Sequence, residues 1–147
     1  MSNAVAQILL VEDSPDDAEL FVRMFNKSEV NARVEVVPDG KEALDFIHCT
    51  GNYAHRNPAT RPKLIVLDLK LPKVDGLEVL RRLKGDPRMR TIPVVILSSS
   101  HEERDLVESH AIGVNSYLVK PMDFDELAVT VRLLCQYWLQ LNQTPKF

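Results

Sequence analysis

The sequence predicts an α/β fold in which a doubly wound parallel sheet of five strands, a (βα)5 architecture, is covered by helices on both faces. Short apolar runs alternate along the chain with longer amphipathic segments, which is typical of repeated strand and helix units. The runs 8–11, 64–67 and 94–97 are apolar at every position, as expected of parallel strands buried on both faces. Because the chain has 147 residues, the size of one compact domain, all five units are expected in a single sheet.

Two weaker strands, at 33–37 and 116–119, and five helices complete the alternation. Ser14 precedes a proline and two carboxylates, the preferred order for a helix N-cap and first turn. Asp123 has a glutamate three residues later, which is capping-box spacing. We predict the first helix from Ser14 to about Asn26, the second from Asp39–Gly40, the third from Asp75–Gly76 to about Gly85, the fourth over 102–112 and the fifth after Asp123.

The composition is that of an ordinary globular protein and excludes several classes. Hydrophobic residues make up 45% of the chain and charged residues 27%, which excludes disordered and collagen-like proteins. A net charge of −3 argues against a protein that depends on attraction to nucleic acid or anionic membrane. No apolar run is long enough to span a bilayer and no leader opens the chain, so we expect a cytoplasmic protein.

The expected domain spans residues 7–141. Residues 1–6 are predicted to be a disordered terminus or a tag remnant, and 142–147 a C-terminal tail. The chain has two cysteines, Cys49 and Cys135, far apart and in no metal-binding spacing, so neither a disulfide framework nor a zinc site is expected.

Polar residues follow four of the five strands, at the point where each strand ends. Glu12 and Asp13 follow the first strand, Asp68 the third, Ser98 the fourth and Lys120 the fifth. Ligands of open parallel sheets bind beyond the carboxyl ends of the strands. In the strand order 2-1-3-4-5, which we take from known sheets of this class, the first and third strands are neighbours. Three carboxylates are therefore expected in one crevice.

Three neighbouring carboxylates repel one another unless a cation neutralises them. Oxygen ligands of this kind suit Mg²⁺, with Mn²⁺ as the alternative. A carboxylate beside such a cation can form an acyl phosphate, which makes Asp68 a candidate nucleophile and Lys120 a candidate partner for the transferred phosphoryl group.

These residues resemble a response-regulator receiver domain of the chemotaxis-regulator type, the phosphoacceptor half of two-component signalling, which has a flavodoxin-like fold. The matching features are the acidic segment 12–14, the segment 67–76 around Asp68, Ser98, Tyr117 within the fifth strand, and the pair Lys120-Pro121. They cover about residues 7–139. The long connection 49–62 and the extended last helix resemble those of phytochrome-associated single-domain regulators.

The resemblance implies a phosphoacceptor and a metal site. Asp68 would accept a phosphoryl group from the phosphohistidine of a histidine kinase. Asp13, Asp68 and the backbone carbonyl of Lys70 would bind Mg²⁺, and Glu12 would act through metal-bound water.

The resemblance also implies a conformational switch. Ser98 and Lys120 would contact the phosphoryl group, whose added charge and acceptor oxygens a hydroxyl and an ammonium can satisfy. Tyr117 would then turn from exposed to buried. The peptide bond before Pro121 is expected to be cis, the isomer that would aim the lysine.

The last helix has two apolar stripes on different faces. One is expected to pack on the core: Leu127, Val131, Leu134 and Trp138. The other is a candidate homodimer or partner surface: Val129, Leu133 and Tyr137.

Partners are expected to be proteins, because no output domain follows the fifth helix. The candidates are a histidine kinase, including a phytochrome-type photoreceptor kinase, a histidine phosphotransfer protein and a second copy of the chain. A basic cluster near the end of the third helix is predicted to be a solvated helix terminus rather than a nucleic-acid site: Arg81, Arg82, Lys84, Arg88 and Arg90.

Two alternatives stay open. A Mg²⁺-dependent aspartyl-phosphate phosphatase of the haloacid-dehalogenase type would need a second aspartate two residues after the nucleophile, where this chain has Lys70. A pseudo-receiver that only docks to other proteins would not need the acidic set. We expect no enzymatic activity beyond Mg²⁺-dependent self-phosphorylation and autodephosphorylation.

Overall fold

The computed structural model describes residues 6–145 as one parallel five-stranded sheet with helices on both faces. The strands are β1 (Ala6–Val11), β2 (Ala32–Val37), β3 (Leu64–Leu67), β4 (Val94–Ser98) and β5 (Ser116–Val119). The helices are α1 (Pro15–Asn26), α2 (Gly40–His48), α3 (Gly76–Gly85), α4 (Glu103–Ile112) and α5 (Phe124–Gln136). A short 3₁₀ turn (Gly51–Tyr53) follows α2, and a π-helical turn (Tyr137–Leu141) extends α5.

The sheet order is β2-β1-β3-β4-β5, so the predicted doubly wound, flavodoxin-like fold is confirmed. The three fully apolar runs form the central strands, with β2 and β5 at the edges. In the register, Val11 pairs with Leu67, Leu67 with Ile96, and Ile96 with Tyr117. The carboxyl ends of β1, β3, β4 and β5 therefore lie side by side and form the carboxyl-terminal edge of the sheet.

Two apolar cores lie on opposite faces of the sheet. Along β1, Leu9 and Val11 pack with α2 and α3, while Ile8 and Leu10 pack with α1 and α5. This alternation follows from the two-residue side-chain period of a strand. Every side chain of β3 and β4 is buried, because helices cover both faces there.

Four helices begin with a side-chain cap, as their sequences predict. The Ser14 hydroxyl accepts a hydrogen bond from the Asp17 N–H, and the carboxylates of Asp39, Asp75 and Asp123 accept from the N–H three residues later. The remaining helix, α4, has no side-chain cap, and Ser109 is its only buried residue. It is therefore the least anchored helix of the fold.

Arg56 orders the long connection between α2 and β3. Its guanidinium lies 3.7 Å from the centroid of the Phe46 ring. It also donates hydrogen bonds to the carbonyls of Phe46 and Thr60. A cation stacked on an aromatic ring and bonded to two carbonyls ties the connection to α2.

The expectation of a cis Lys120–Pro121 bond is wrong, because none of the peptide bonds in the described residues is cis. The trans isomer is favoured at such bonds by about 0.5–1 kcal/mol unless tertiary contacts oppose it. Here the Lys120 side chain reaches Glu12 from a trans peptide bond, so its position does not require the other isomer.

The termini lie partly outside the described residues, which leave out 1–5 and 146–147. The first strand begins at Ala6, and 142–145 have no regular structure. The predicted disordered terminus and the tip of the predicted tail fall mostly on the undescribed residues, so those boundaries stay predictions. Within the described range, no helix combines the length and hydrophobicity needed to cross a bilayer.

We expect the two cysteines to differ sharply in reactivity. Cys135 is fully buried between α5 and the sheet, and burial raises the pKa of its thiol to about 12. A raised thiol pKa keeps the reactive thiolate scarce at pH values below it. Cys49 is only half-buried. An Ellman titration near neutral pH should modify Cys49 in the native protein and Cys135 only after denaturation; fast reaction of both thiols in the native state would contradict this packing.

Candidate metal and phosphoryl site

The backbone at the carboxyl ends of β1 and β3 places the acidic residues side by side. The Glu12 N–H donates to the carbonyl of Val37 on β2 over 3.1 Å. The Asp68 N–H donates to the carbonyl of Val11 on β1 over 3.2 Å. These two bonds extend the parallel strand pairing by one residue beyond the strands. Because β1 and β3 are neighbours in the sheet, as predicted, Glu12 and Asp68 lie side by side.

Three carboxylates converge at this edge of the sheet. Oxygens of Glu12, Asp13 and Asp68 all lie within 4.8 Å of one another. Glu12 is buried, Asp68 half-buried and Asp13 exposed, so the group opens to solvent on one side. Carboxylate oxygens at this spacing fit a hard divalent cation, which also keeps water ligands on its open side.

Lys120 supplies the positive charge of the site. Its ammonium Nζ lies 2.8 Å from Glu12 Oε1, 3.5 Å from Asp17 Oδ2 and 3.7 Å from Asp68 Oδ2. The Lys120 N–H also donates to the carbonyl of Ser98 over 2.7 Å, which ties the end of β5 to β4. The ammonium is therefore held beside the acidic group formed by Glu12, Asp13 and Asp68.

Burial and charge act in opposite directions on this ion pair. Burial raises the pKa of Glu12, and the hydrogen bond and charge of Lys120 only partly offset that effect. Burial alone would lower the pKa of Lys120, but its hydrogen bond to Glu12 and the charges of Glu12 and Asp68 raise that pKa overall. Lys120 therefore stays cationic, and the Glu12 carboxyl binds a proton more readily than an ordinary glutamate does.

The Asp68 carboxylate is oriented from both sides. Its Oδ1 accepts a hydrogen bond from the Leu69 N–H over 2.7 Å, and its Oδ2 faces Lys120. The start of α3 packs tightly on the same loop, since the Gly76 N–H donates to the Leu69 carbonyl over 2.8 Å. A Cβ at Gly76 would lie 2.3 Å from the carbonyl oxygen of Asp68. The glycine is thus required for close backbone contact with the candidate acceptor.

Ser98, Ser100 and Tyr117 form a hydrogen-bonded chain beside the acidic group. The buried Ser98 hydroxyl accepts from the Ser100 N–H over 3.2 Å. The hydroxyl of Tyr117 donates to the Ser100 carbonyl over 2.9 Å, with its ring half-buried against the core. The Ser100 hydroxyl in turn donates to Asp105 of α4 over 2.6 Å. Ser100 therefore links Ser98, Tyr117 and α4.

The structure brings together Glu12, Asp13, Asp68 and Lys120, as the strand ends predict. Ligation by the Lys70 carbonyl, and the assigned roles of Ser98 and Tyr117, stay predictions. The stripe Val129, Leu133 and Tyr137 is solvent-exposed, with exposed fractions of 42%, 55% and 50%. Val131 and Leu134 of the other stripe are buried.

Asp17 belongs to the site, although the sequence predicts it only as a carboxylate in the first turn of α1. It lies in the first turn of α1, four residues after Asp13, and its carboxylate is one of three near Lys120. Asp13 precedes the N-cap Ser14, and α1 begins only four residues after the end of β1, so its first turn lies beside the carboxyl end of that strand. This short connection was the available signal.

Comparison with known proteins identifies the family. Residues 8–132 match the response regulator receiver domain, so the chain belongs to that family. It is 38% identical over 144 residues to response regulator Rcp1 of Synechocystis, a match covering 98% of this chain and 96% of Rcp1. It is 42% identical over 138 residues to FilR2 of Methanothrix harundinacea, described as a probable methanogenesis regulatory protein, covering 94% of this chain and 86% of FilR2.

Solved structures give the same assignment. The phosphorylated cyanobacterial phytochrome response regulator RcpA superposes with a TM-score of 0.90 at 39% identity, over 97% of this chain and all of RcpA. The Mn²⁺-bound form of Rcp1 superposes with a TM-score of 0.88 at 38% identity, over 95% of this chain and 99% of Rcp1. The protein is thus a response-regulator receiver related to phytochrome response regulators.

Removing one carboxylate of the group is expected to weaken divalent-cation binding. Asp13→Asn should lower Mn²⁺ affinity at least about tenfold, because a charged ligand becomes a neutral amide. Asp16→Asn is the matched control, since Asp16 is exposed, carries the same charge and lies outside the group. Electron paramagnetic resonance of free Mn²⁺ measures both affinities. Equal affinities in the two variants would show that the acidic group is not the binding site.

Cation affinity is also expected to fall as the pH falls. The fall should begin at a higher pH than it would if all the carboxyl groups had ordinary pKa values. Because the pKa of Glu12 is raised above its ordinary value of 4.5, protons compete with the cation at a higher pH. In Glu12→Gln this competition is absent, so the loss of Mn²⁺ affinity should begin at a lower pH. Mn²⁺ titrations of both proteins across the acidic range test this; coincident pH profiles would contradict the raised pKa.

Proposed function

We propose that this protein is a single-domain response regulator that accepts a phosphoryl group on Asp68 from a histidine kinase, in a Mg²⁺-dependent reaction, and signals to protein partners in the cytoplasm. The observation that carries the proposal is the convergence of Glu12, Asp13 and Asp68 within 4.8 Å, with Lys120 against them. In a receiver fold this combination can hold a cation and a phosphoryl group together.

In the proposed reaction an oxygen of Asp68 attacks the phosphorus of a phosphohistidine. A P–O bond forms and the P–N bond breaks, and the imidazole leaves with the electron pair and takes up a proton. Bound Mg²⁺ would neutralise charge on the phosphoryl oxygens. Lys120 is close enough to stabilise the same charge, because its ammonium lies 3.7 Å from Asp68 Oδ2.

The cation assignment rests on the donor set and on one relative. All three side-chain donors are carboxylates, which suit Mg²⁺ and Mn²⁺ better than zinc. Rcp1 has a Mn²⁺-bound form. We assign Mg²⁺ as the ion used, with the Lys70 carbonyl as a further ligand and Glu12 acting through a bound water.

The switch proceeds through the hydrogen-bonded chain of Ser98, Ser100 and Tyr117. Turning the Ser98 hydroxyl to donate to a phosphoryl oxygen would take it away from the Ser100 N–H. Ser100 also holds Tyr117 and Asp105 of α4, so a shift of this residue reaches β5 and the least anchored helix. Phosphorylation would thereby alter the surface around α4, β5 and α5.

The proposed partners follow from the relatives and from one exposed surface. RcpA is a phytochrome response regulator, which makes a phytochrome-type histidine kinase the proposed phosphoryl donor. A histidine phosphotransfer protein is the candidate acceptor for onward transfer. The exposed stripe of Val129, Leu133 and Tyr137 is the proposed surface for a second copy or a downstream protein.

The proposal describes a phosphoacceptor that modifies itself, not an enzyme that turns over a separate substrate. It is tested by intact-mass measurement after incubation with acetyl phosphate, with Mg²⁺ or with EDTA. We expect a gain of one phosphoryl group that needs Mg²⁺, is lost in Asp68→Asn and is retained in the Asp16→Asn control. Absence of the adduct, together with no binding of beryllofluoride, would identify a docking module instead. Steady hydrolysis of a phosphomonoester would identify a phosphatase.

A further inference from the structure

Strand β2 is one edge of the sheet, and its outer side has no partner strand. It pairs with β1 along its whole length, and no other strand within residues 6–145 pairs with it. An unpaired edge presents a row of N–H and C=O groups that can bind a further strand. Arg33 is exposed, and the Val36 side chain has an exposed fraction of 38%. The edge is therefore open to a partner.

The direction of the peptide groups along β2 decides which of them a partner strand can reach. The Val37 carbonyl accepts a hydrogen bond from the Glu12 N–H, so Val37 directs its polar backbone groups toward β1. Residues two apart in a strand direct these groups the same way, so the odd-numbered residues of β2 all face β1. The even-numbered residues direct theirs outward: Ala32, Val34 and Val36.

Two opposite charges lie on one face of this edge strand. Arg33 and Glu35 are two residues apart, so their side chains share a face, the one that carries Phe46 of α2. Neither side chain forms an ion pair or a hydrogen bond with any residue that the structure describes. Both charges are therefore available to a partner strand.

One register between two copies of the chain pairs these charges with each other. When two β2 strands meet antiparallel with Val34 opposite Val34, Arg33 of each copy lies opposite Glu35 of the other. The outward groups of the even-numbered residues then bond across the edge. Arg33 and Glu35 form non-hydrogen-bonded pairs, in which opposite Cα atoms are only about 4.5 Å apart. Centring the pairing on residue 33 or 35 instead would place like charges opposite each other, which is unfavourable.

We propose that β2 binds β2 of a second copy of this chain, antiparallel and centred on Val34, with Arg33 and Glu35 paired across a two-fold axis. The charge pattern selects a second copy, because the strand is complementary to itself in this register. The two sheets become one continuous sheet whose carboxyl-terminal edges face opposite ways, so both acidic groups stay open to solvent. This surface is separate from the stripe on α5 and does not depend on phosphorylation.

Charge reversal tests the register. Arg33→Glu and Glu35→Arg each place like charges opposite each other in both pairs, so each variant alone should dimerise at least about tenfold more weakly than the wild type. An equimolar mixture of the two variants should recover the wild-type affinity, because each carries the charge that complements the other. The double variant Arg33→Glu/Glu35→Arg should dimerise as well. Sedimentation velocity over a range of protein concentrations measures these affinities.

Two further variants separate backbone pairing from other surfaces. Val34→Pro removes an outward N–H that β1 does not use, and it should weaken the dimer, whereas Val34→Thr keeps the N–H and should not. Leu133→Ser, in the stripe on α5, should leave the dimer intact, and circular dichroism checks that each variant is folded. The proposal is overturned if the wild type stays monomeric up to millimolar concentration or if the mixed reversal variants fail to recover dimerisation. Loss of the dimer in Leu133→Ser but not in the reversal variants would also overturn it.

Discussion

Replacing Lys120 with methionine is expected to slow Mg²⁺-dependent phosphorylation of Asp68 by roughly 10²–10³-fold, the usual effect of removing one donor aimed at developing charge. The ammonium lies 3.7 Å from Asp68 Oδ2 and is held by Glu12 at 2.8 Å, so it is oriented before the phosphoryl group arrives. Methionine keeps an apolar stem about as long as that of lysine and removes the ammonium group with its charge and donors.

The same variant is expected to bind Mn²⁺ more tightly, not less. Lys120 occupies one oxygen of Glu12 and repels a divalent cation at the acidic group. Its removal therefore raises cation affinity while it lowers the phosphorylation rate. This opposite pair of effects separates a role in transition-state stabilisation from general damage to the site.

Lys41→Met is the matched control, because Lys41 is exposed and pairs with Asp45 away from the acidic group. Rates are measured by intact mass against time with acetyl phosphate, and affinities by Mn²⁺ titration. If Lys120→Met phosphorylates at the wild-type rate, the proposed role of the ammonium is wrong.

Gly76→Ala is expected to destabilise the fold by about 1–3 kcal/mol or more. The new Cβ would lie 2.3 Å from the carbonyl oxygen of Asp68 and 2.6 Å from the Cα of Leu69. Both atoms belong to the backbone, so neither can move aside as a flexible side chain would. The strain acts on the backbone of Asp68 and Leu69. Phosphorylation of Asp68 should therefore slow as well.

Gly85→Ala provides the control within the same helix. A Cβ at Gly85 has no atom within 4 Å, and alanine favours helix over glycine by up to about 1 kcal/mol. This variant should be as stable as the wild type or more stable, with normal phosphorylation. Urea unfolding measures both variants, and equal midpoints for Gly76→Ala and Gly85→Ala would contradict the close packing of α3 on the Asp68 loop.

The fold was predictable because its signals are local and repeated. The runs 8–11, 64–67 and 94–97 are apolar at every position, as expected of parallel strands buried on both faces, and the helices between them carry their own caps. The acidic group followed once the strand order 2-1-3-4-5 was taken from known sheets of this class, since Glu12 and Asp68 come directly after the first and third strands, which are neighbours in that order.

The features that the sequence did not reveal depend on contacts between distant residues. The π-helical turn after α5 is held in part by Lys63, whose ammonium donates to the Leu139 carbonyl 76 residues away. The isomer of the Lys120–Pro121 bond depends on a difference of only about 0.5–1 kcal/mol, which tertiary contacts decide. The role of Gly76 in packing is likewise visible only once Asp68 and α3 are placed together.

Chemical mapping of the phosphorylated residue tests the central claim most directly. Borohydride reduces an aspartyl phosphate to homoserine, which peptide mass spectrometry locates. After treatment with acetyl phosphate and Mg²⁺, we expect homoserine at position 68 and nowhere else, with none formed when EDTA replaces Mg²⁺. Homoserine at Asp13 or another aspartate, or unchanged Asp68 in a protein that has gained a phosphoryl group, would contradict the assignment of Asp68 as the acceptor.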